Sequence, residues 1–205
     1  MPDTVSDIAF TPAVKARQSR HGSRESYAKQ IARRDWRDRI TEDLSEFVAM
    51  LDSFYMATVS EDGHPYIQHR GGPRGFLKVL DDKRLAFVDY SGNRQYISAG
   101  NLDGNDRVSL FLMDYANKRR IKVWGRAEVL DDDPDLLKSL MPTEYRARPE
   151  RVIVITVDAW DVNCPQHIPD LYPAEVVQHA TAKLSARIAQ LEAENTELKA
   201  WLGKD

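Results

Sequence analysis

Short β-strands separated by tight turns fill residues 54–130, and this pattern constrains the fold more than any other feature of the chain. Residues 54–59 favour a strand, Asp62-Gly63 is a tight-turn signal, and residues 65–68 return as the second strand of a hairpin. Repeated hairpins with only brief helices between them predict a mainly β fold of about six to seven antiparallel strands. The sequence therefore predicts a closed or partly closed barrel.

The same periodicities place the other elements along the chain. Further strands are expected at residues 76–80, 85–89, 107–113, 119–130 and 151–160. Helices are expected at residues 24–40, after Thr41, at 95–102 and at 134–140. Residues 1–22 show no clear period, so they are expected to be irregular.

The charge distribution separates the first part of the chain from the rest. The protein has a net charge of −3, which excludes a globally basic nucleic-acid binder. Residues 14–40 nevertheless hold nine Lys or Arg against three acidic residues. We interpret this segment as a solvated or subunit-wrapping arm, with an anion-binding arm as the alternative.

Cysteine content and the lack of long apolar runs bear on the cellular compartment. Cys164 is the only cysteine, so no internal disulfide can form, as is usual in a reducing compartment. The N-terminus lacks the basic start and apolar core of a signal peptide. No apolar run approaches the ~20 residues needed to cross a bilayer. We therefore expect a soluble cytoplasmic protein without a membrane partner.

A polar segment, Ser91-Gly92-Asn93-Arg94, lies between a predicted strand and a predicted short helix. A cation such as Arg94 is unfavourable near a helix N-terminus unless an anion neutralises it, whereas free N–H groups at that place bind anions. A bound phosphate would resolve this conflict, with Ser91 and Asn93 donating further hydrogen bonds. An ordinary polar turn is the alternative interpretation.

The segment from Gln68 to Gly75 begins as a strand and becomes rich in glycine. Three glycines within five residues weaken a strand unless something needs the room. A flat ring lying on the backbone would need it, and a β-bulge with a mobile loop is the alternative. On the later strand, Arg120, Lys122 and Trp124 share a face that points either to solvent or to an anionic ligand.

Several other kinds of site lack support in the sequence. The histidines show no H-x-x-x-H or H-x-H spacing, and Cys164 with His167 forms a lone C-x-x-H, so we expect no metal site. Nucleophile-elbow, dinucleotide-binding and P-loop motifs are also missing. The glycines and arginines on a β-barrel pattern instead suggest a bound phosphorylated cofactor.

A heptad pattern runs through residues 174–202. Position d holds Leu184, Leu191 and Leu198, and position a holds Thr181, Ile188, Asn195 and Leu202. Leu at d with one Asn at a favours a parallel two-stranded coiled coil, and the flanking charges agree with it. The stretch before it is not basic, which excludes a DNA-binding zipper. A helix packed on its own barrel is the alternative to this dimer-strengthening tail.

Five short segments occur in one particular order between residues 46 and 161. They are Ala57-Thr58-Val59-Ser60 with Asp62-Gly63-His64-Pro65, then residues 68–72, Tyr90-Ser91-Gly92-Asn93-Arg94, Asp106-Arg107-Val108-Ser109-Leu110, and residues 119–128. In this order they resemble the pyridoxamine 5′-phosphate oxidase-like FMN-binding split barrels, in particular the branch of predicted flavin-nucleotide-binding proteins. The resemblance implies a Greek-key split barrel and a homodimer that binds FMN, or FAD, at the subunit interface.

The resemblance also implies which residues hold the cofactor. Those implied in the strand along the flavin are Gln68, His69, Arg70, Gly71 and Gly72, and those implied at the phosphate are Ser91, Asn93 and Arg94. Arg120 stands where the vitamin-making oxidases most often have Gln, and it would grip the phosphate or the pyrimidine edge of the ring. Gln166 and His167 would contact the cofactor of the partner subunit, with a structural loop as the alternative.

The C-terminus departs from the resembled family. The vitamin-making oxidases end in a tail whose Arg and Trp grip the substrate, whereas residues 163–169 and a heptad helix stand here. The departure leaves flavin binding as expected but does not favour oxidation of pyridoxamine phosphate.

The sequence thus predicts a basic arm with a helix at residues 1–40, a split-barrel domain at 41–165, and a linker with a coiled-coil helix at 166–205. The predicted function is an FMN-dependent oxidoreductase of unknown substrate. A flavin carrier, pyridoxamine phosphate oxidase proper and a haem-binding barrel are the alternatives, the last with His69 or His167 as axial ligand. Catalytic residues are not predicted beyond these two histidines as candidate proton-transfer groups.

Overall fold

Seven antiparallel strands form one sheet. They are β1 (Ser53–Val59), β2 (Pro65–Gly71), β3 (Lys78–Val79), β4 (Arg84–Tyr90), β5 (Arg107–Asp114), β6 (Arg119–Leu130) and β7 (Pro149–Val162). Their order across the sheet is β2-β1-β5-β6-β7-β4-β3. The computed structural model describes residues 4–203, and within them the edge strands β2 and β3 do not pair with each other. The sheet is therefore not closed, which confirms the split-barrel prediction.

Helices flank the sheet at several points along the chain. They are a short 3₁₀ helix (Val5–Ile8), α1 (Pro12–Arg20), α2 (Arg24–Arg33), α3 (Glu42–Ala49), α4 (Ile97–Gly104), α5 (Pro134–Leu140) and α6 (Ala174–Leu202). The expectation that residues 1–22 are irregular is wrong for the described part, because α1 forms there. Thr11 caps this helix by accepting a hydrogen bond from the Val14 N–H, and Pro12 suits its first turn.

Helix α2 ends at Arg33 and not near residue 40 as expected. The next residue but one, Asp35, explains this end, because its carboxylate accepts hydrogen bonds from the backbone N–H groups of Val5, Ser6 and Trp36. These bonds hold the chain in a turn that a continued helix would break. The rest of the arm therefore leaves the helix and lies along the sheet, where Arg37 forms a β-bridge with Trp160.

The described residues divide into two compact units. The larger one runs up to Asp114 and resumes at Arg119–Pro165, and it contains the sheet and helices α1 to α5. The smaller one comprises Tyr115–Lys118 and the chain from Gln166 onward, with α6 as its main element. Among helices of the described residues, none combines the length and apolar character that a membrane span requires.

A cluster of phenylalanines shows that the two ends of the sheet face each other. Phe54 of β1 lies 5.3 Å from Phe87 of β4 and 5.6 Å from Phe76, measured between ring centroids. All three rings are buried. Because β1 and β4 are far apart in the strand order, their contact requires the sheet to curl around a common core.

The segment after α2 covers part of the outer face of β6 and β7. Trp36 stacks on Trp124 with ring centroids 4.9 Å apart, and the Lys122 ammonium lies 5.3 Å from the Trp36 ring. The indole N–H of Trp160 donates to the Arg39 carbonyl at 2.7 Å. The face of β6 that carries Lys122 and Trp124 is therefore packed against the protein's own arm.

Gly125 lies where the pairing of β6 with β7 shifts register. A Cβ atom at this position would lie 2.3 Å from the carbonyl oxygen of Thr156, which belongs to the backbone and cannot rotate away. Only glycine therefore allows the two longest strands to approach so closely at this irregularity.

We expect Gly125→Ala to lower the free energy of unfolding by about 1–3 kcal/mol or more, because a strand must move to relieve the contact. Gly100→Ala in α4 is the matched control, since its Cβ would meet no atom within 4 Å. Alanine is favoured over glycine in a helix by about 1 kcal/mol, so this variant should be as stable as the parent or more so. Urea unfolding followed by circular dichroism measures both, and an unchanged midpoint for Gly125→Ala would contradict the argument.

Candidate functional site

A cavity of about 240 Å³ lies between β2, the end of β4 and the beginning of α4. Strand β2 lines it with Tyr66, Gln68 and Arg70, which project from the same face of the strand. The connection at residues 92–96 and the first turn of α4 complete the lining. Because β2 is one edge of the sheet and β4 is next to the other edge, the cavity lies at the opening of the barrel.

A buried ion pair spans this opening. The Arg70 guanidinium donates to the Asp89 carboxylate at 2.5 Å, and Arg70 is only 9% exposed. Burial raises the pKa of Asp89 even though Arg70 and Arg151 act in the opposite direction. Burial likewise lowers the pKa of Arg70 against the opposing effect of Asp89. Burial thus acts on both pKa values more strongly than the opposite charge does, and a buried pair of this kind often contributes little net stability compared with apolar residues.

Further charges surround the pair on the β7 side. Arg151 lies with its guanidinium 3.4 Å from the Glu150 carboxylate and 3.9 Å from that of Asp89. The same guanidinium lies 4.9 Å from the ring of Tyr96. Arg151 therefore links the ion pair at the opening to the connection between β4 and α4.

Two residues of that connection adopt left-handed backbone conformations. Arg94 has φ of 60° and Tyr96 has φ of 55°, which is uncommon for residues other than glycine. The Arg94 Nε donates to the Tyr96 hydroxyl at 2.8 Å, so the two side chains hold each other. Such strained positions cluster at ligand sites, and here they place both side chains in the cavity lining.

Helix α4 is anchored to the two strands beneath it. The Ser98 hydroxyl donates to the Gln68 amide oxygen at 2.8 Å, and the Asn101 amide donates to the hydroxyl of fully buried Thr58 at 2.9 Å. The first turn of α4, residues 97–99, lies in the cavity lining. N–H groups of a first helical turn have no partner within the helix, so they are available to an anion.

Hydrogen bonds fix the conformation of the polar segment 91–94. The Asn93 amide donates to the Gln95 side chain at 3.1 Å and accepts from the Gln95 backbone N–H at 3.2 Å. The Ser91 backbone N–H donates to the Arg148 carbonyl. Asn93 and Arg94 line the cavity, and Ser91 does not. Because the Asn93 amide is already hydrogen-bonded to Gln95, Arg94 is the residue of this segment best placed to bind an anion.

The structure separates the residues implied on β2. Gln68 and Arg70 line the cavity, whereas His69 projects from the opposite face, where its ring lies 5.5 Å from that of Tyr55. A Cβ atom on Gly71 would lie 3.1 Å from the His69 side chain. At Gly72 it would lie 2.7 Å from the Phe76 ring. The side chains of His69 and Phe76 therefore occupy the space beside these two glycines.

The other implied residues are not among those that line this cavity. Arg120 is half-buried on β6, opposite Met113, and is not part of the lining. Gln166 and His167 belong to the smaller unit and are exposed, and His167 has φ of 62°. Among residues 4–203, His, Cys, Asp and Glu side chains form no group of three or more that could hold a metal ion.

Sequence reasoning missed several residues of the lining. They are Tyr66, Asp89, Tyr96, Ser98 and Glu150. Strand alternation from Gln68 could have found Tyr66, and Asp89 is a carboxylate that closely follows a buried apolar run. Tyr96 and Ser98 carry no comparable signal, because their role depends on where α4 lies.

The sequence matches the family model for pyridoxamine 5′-phosphate oxidase over residues 40–164, which is more than half of the 205-residue chain. The chain therefore belongs to the pyridoxamine 5′-phosphate oxidase family. No curated protein sequence matches the chain. HupZ from Group A Streptococcus has a similar structure, with 18% identity over 65% of this chain and 99% of that one and a TM-score of 0.50. At this identity the likeness concerns the fold.

Two further solved structures are similar in the same region. A candidate pyridoxamine 5′-phosphate oxidase from Lactobacillus delbrueckii is 24% identical, over 61% of this chain and 95% of that one, with a TM-score of 0.47. An FMN-binding protein from Syntrophomonas wolfei is 12% identical, over 71% of this chain and 97% of that one, with a TM-score of 0.48.

The ion pair at the opening yields a stability prediction. We expect Asp89→Asn to lower the free energy of unfolding by about 3–5 kcal/mol, because Arg70 then stays buried without its closest counter-charge. The double variant Arg70→Met with Asp89→Leu should lose less than this single variant, since no uncompensated charge remains. Urea unfolding at neutral pH measures both.

Asp106→Asn is the control for this prediction. Asp106 pairs with Arg126 at 3.0 Å on the exposed surface, so its loss should cost only about 0–1 kcal/mol. If the double variant proves less stable than Asp89→Asn, the argument that desolvation dominates at the opening is refuted.

Proposed function

We propose that the protein is an FMN-binding homodimer that acts as a flavin-dependent oxidoreductase, with the cofactor phosphate held in the cavity between β2, β4 and α4. The observation that carries this proposal is the convergence of Arg94 and the first turn of α4 on one cavity in a member of this family. A cation and unpaired N–H groups at one place repel each other unless an anion binds between them.

The residues of the cavity fit a phosphate group. Arg94 is exposed, and within the described chain its side chain donates only to Tyr96, so its terminal NH₂ groups face solvent or ligand. The buried Arg70 Nε also has no partner among the described residues, which is costly unless a ligand or water supplies one. Arg70 is paired with Asp89, whereas Arg94 forms no direct ion pair among the described residues and is the cation placed to meet the anion.

The size of the cavity favours a site shared between two chains. Clefts that enclose a ligand of this size usually measure about 300–1,000 Å³, whereas this one measures about 240 Å³. One chain thus offers room for the phosphate end and only part of the rest. In our proposal a second copy completes the site, with Arg120, Gln166 and His167 as residues that contact its flavin.

Bound FMN would supply the electron-transfer chemistry, which the side chains of this protein cannot perform themselves. Gln68 is held in orientation by Ser98 and is therefore suited to donate from its amide to a polar atom of the cofactor. Arg70 pairs with Asp89, and Arg151 is shared among Asp89, Asp131 and Glu150, so Arg94 is the cation at the opening best placed to stabilise negative charge on a bound group.

The proposal also assigns domains to the chain. Residues 1–40 would form an arm that packs on the barrel, residues 41–165 the flavin-binding barrel, and residues 166–205 a linker and a coiled-coil helix. The arm contacts near Trp36 and Trp160 support the first of these assignments.

The visible absorption spectrum of the purified protein tests cofactor binding directly. After addition of excess FMN and removal of the unbound fraction, we expect an oxidised-flavin spectrum at about one flavin per chain, since the proposed site occurs once in each chain. A folded protein that retains no flavin, or that shows a haem Soret band, would overturn the proposal. Release of the flavin by acid and chromatography then distinguishes FMN from FAD.

Arg94→Ala tests the phosphate assignment. Loss of one charge-assisted contact costs about 1.5–3 kcal/mol, so we expect the Kd for FMN to rise by about 10- to 100-fold. Riboflavin, which has no phosphate, should bind the parent and the variant equally. Arg84→Ala at the other end of β4 removes the same charge outside the cavity and should leave the Kd unchanged. Equal Kd values for the parent and Arg94→Ala would remove Arg94 from the site.

A further inference from the structure

Helix α6 exposes an apolar stripe along its whole length. It spans 29 residues, which is about 43 Å, and every one of them is exposed. The stripe includes Leu184, Ile188, Leu191, Leu198 and Leu202, with Leu184 at 66% and Leu191 at 46% exposure. A contiguous apolar surface of this kind on a soluble helix marks an interaction site.

The stripe follows a seven-residue period. Its leucines at positions 184, 191 and 198 repeat at intervals of seven, and Ile188 and Leu202 occupy the other apolar position of the heptad. A strict two-in-seven stripe is narrower than the face that a helix buries against a globular core. It matches the seam that packs against one other helix of the same kind.

We propose that α6 binds α6 of a second copy of this chain as a parallel, in-register coiled coil. The proposal rests on the homodimer proposed above and names its second interface, but it requires no bound flavin. The charges beside the stripe indicate that its partner is the same helix of a second copy. In a parallel pair, Arg187 faces Glu192 of the second copy, and Glu194 faces Lys199 of the second copy. Both pairs are opposite in sign, and symmetry makes each of them twice.

The hydrogen bonds that these side chains make within one chain do not oppose this pairing. Arg187 donates to Gln190 at 2.8 Å, and Gln190 donates to Glu194 at 2.9 Å. All three side chains are exposed, where such bonds contribute little and exchange readily. Their effect is to hold a positive and a negative group along one border of the stripe.

Asn195 fixes the orientation. In a parallel, in-register pair it meets Asn195 of the second copy, and two amides can donate to and accept from each other. In an antiparallel pair each a position faces a d position, so Asn195 would lie against a leucine with its amide unpaired. An unsatisfied buried amide costs about 1–3 kcal/mol. The one amide side chain in the stripe therefore disfavours the antiparallel pair.

Disulfide cross-linking of the full-length chain tests the interface without relying on the oligomeric state of the barrel. Cys164→Ser first removes the only native cysteine, which is exposed. In this background Leu198→Cys places a thiol in the seam, and Ala193→Cys places one on the outer face of the same helix. We expect the Leu198→Cys chains to cross-link at least about tenfold faster under mild oxidation, because only seam thiols meet. Equal rates, or no cross-link at residue 198, would overturn the proposal.

A mixed experiment tests the orientation. Residues 181 and 198 face each other in an antiparallel pair but lie at different levels of a parallel pair. We therefore expect Thr181→Cys chains mixed with Leu198→Cys chains to form only the two homodimeric disulfides. A dominant 181–198 disulfide would show an antiparallel pair and refute the parallel arrangement.

A charge in the seam provides the final control. Leu191→Asp added to Leu198→Cys should abolish the cross-link, whereas Ala193→Asp, the same residue on the outer face, should preserve it. FMN retention should be the same in both variants, because the seam is not part of the cavity. Cross-links that survive Leu191→Asp would refute the seam. If the cross-links behave as expected but the protein retains no flavin, the coiled coil stands and only the proposed cofactor fails.

Discussion

The buried ion pair between Arg70 and Asp89 is the contact on which the site depends. Arg70 belongs to β2, one edge of the sheet, and Asp89 belongs to β4, which is next to the other edge, so the two strands are not neighbours in the sheet. Their contact therefore joins the two strands across the opening, which the contact between Phe54 and Phe87 also bridges. A buried ion pair often contributes little net stability compared with apolar residues, but removal of one partner leaves the other charge buried and uncompensated.

The cavity follows from that opening. Helix α4 lines the cavity with its first turn and is anchored by Ser98 to β2 and by Asn101 to β1. The short connection before α4 must then turn sharply, and it does so with two left-handed residues, Arg94 and Tyr96. These conformations place the guanidinium of Arg94 beside the first turn of α4 in the cavity lining. Fold, strain and charge thus converge on one cavity, which is where our proposal places the phosphate of the cofactor.

Much of the fold could be predicted from periodicity alone. The strand at residues 119–130 has the bounds that alternation predicts, with Ile121, Val123 and Ala127 buried. Period-two patterns are reliable here because each strand buries one face of a single core. The structure of the arm was harder to predict, since its polar helix α1 buries no residue and shows no apolar period. Of the implied site residues, Gln68, Arg70, Asn93 and Arg94 meet in one cavity, whereas His69 lies on the other face of its strand.

The sequence by itself determined the order of the strands along the chain, the family, the heptad stripe and the presence of an arginine before a short helix. These are local properties, set by side-chain period, turn chemistry and residue spacing. Only the tertiary structure decided that Arg70 pairs with Asp89, that Phe76 uses the room beside Gly72, and that the arm covers Trp124. Each of these contacts joins segments distant in sequence or turns on side-chain direction. Their geometry arises only when the sheet curls around its core, which no local pattern encodes.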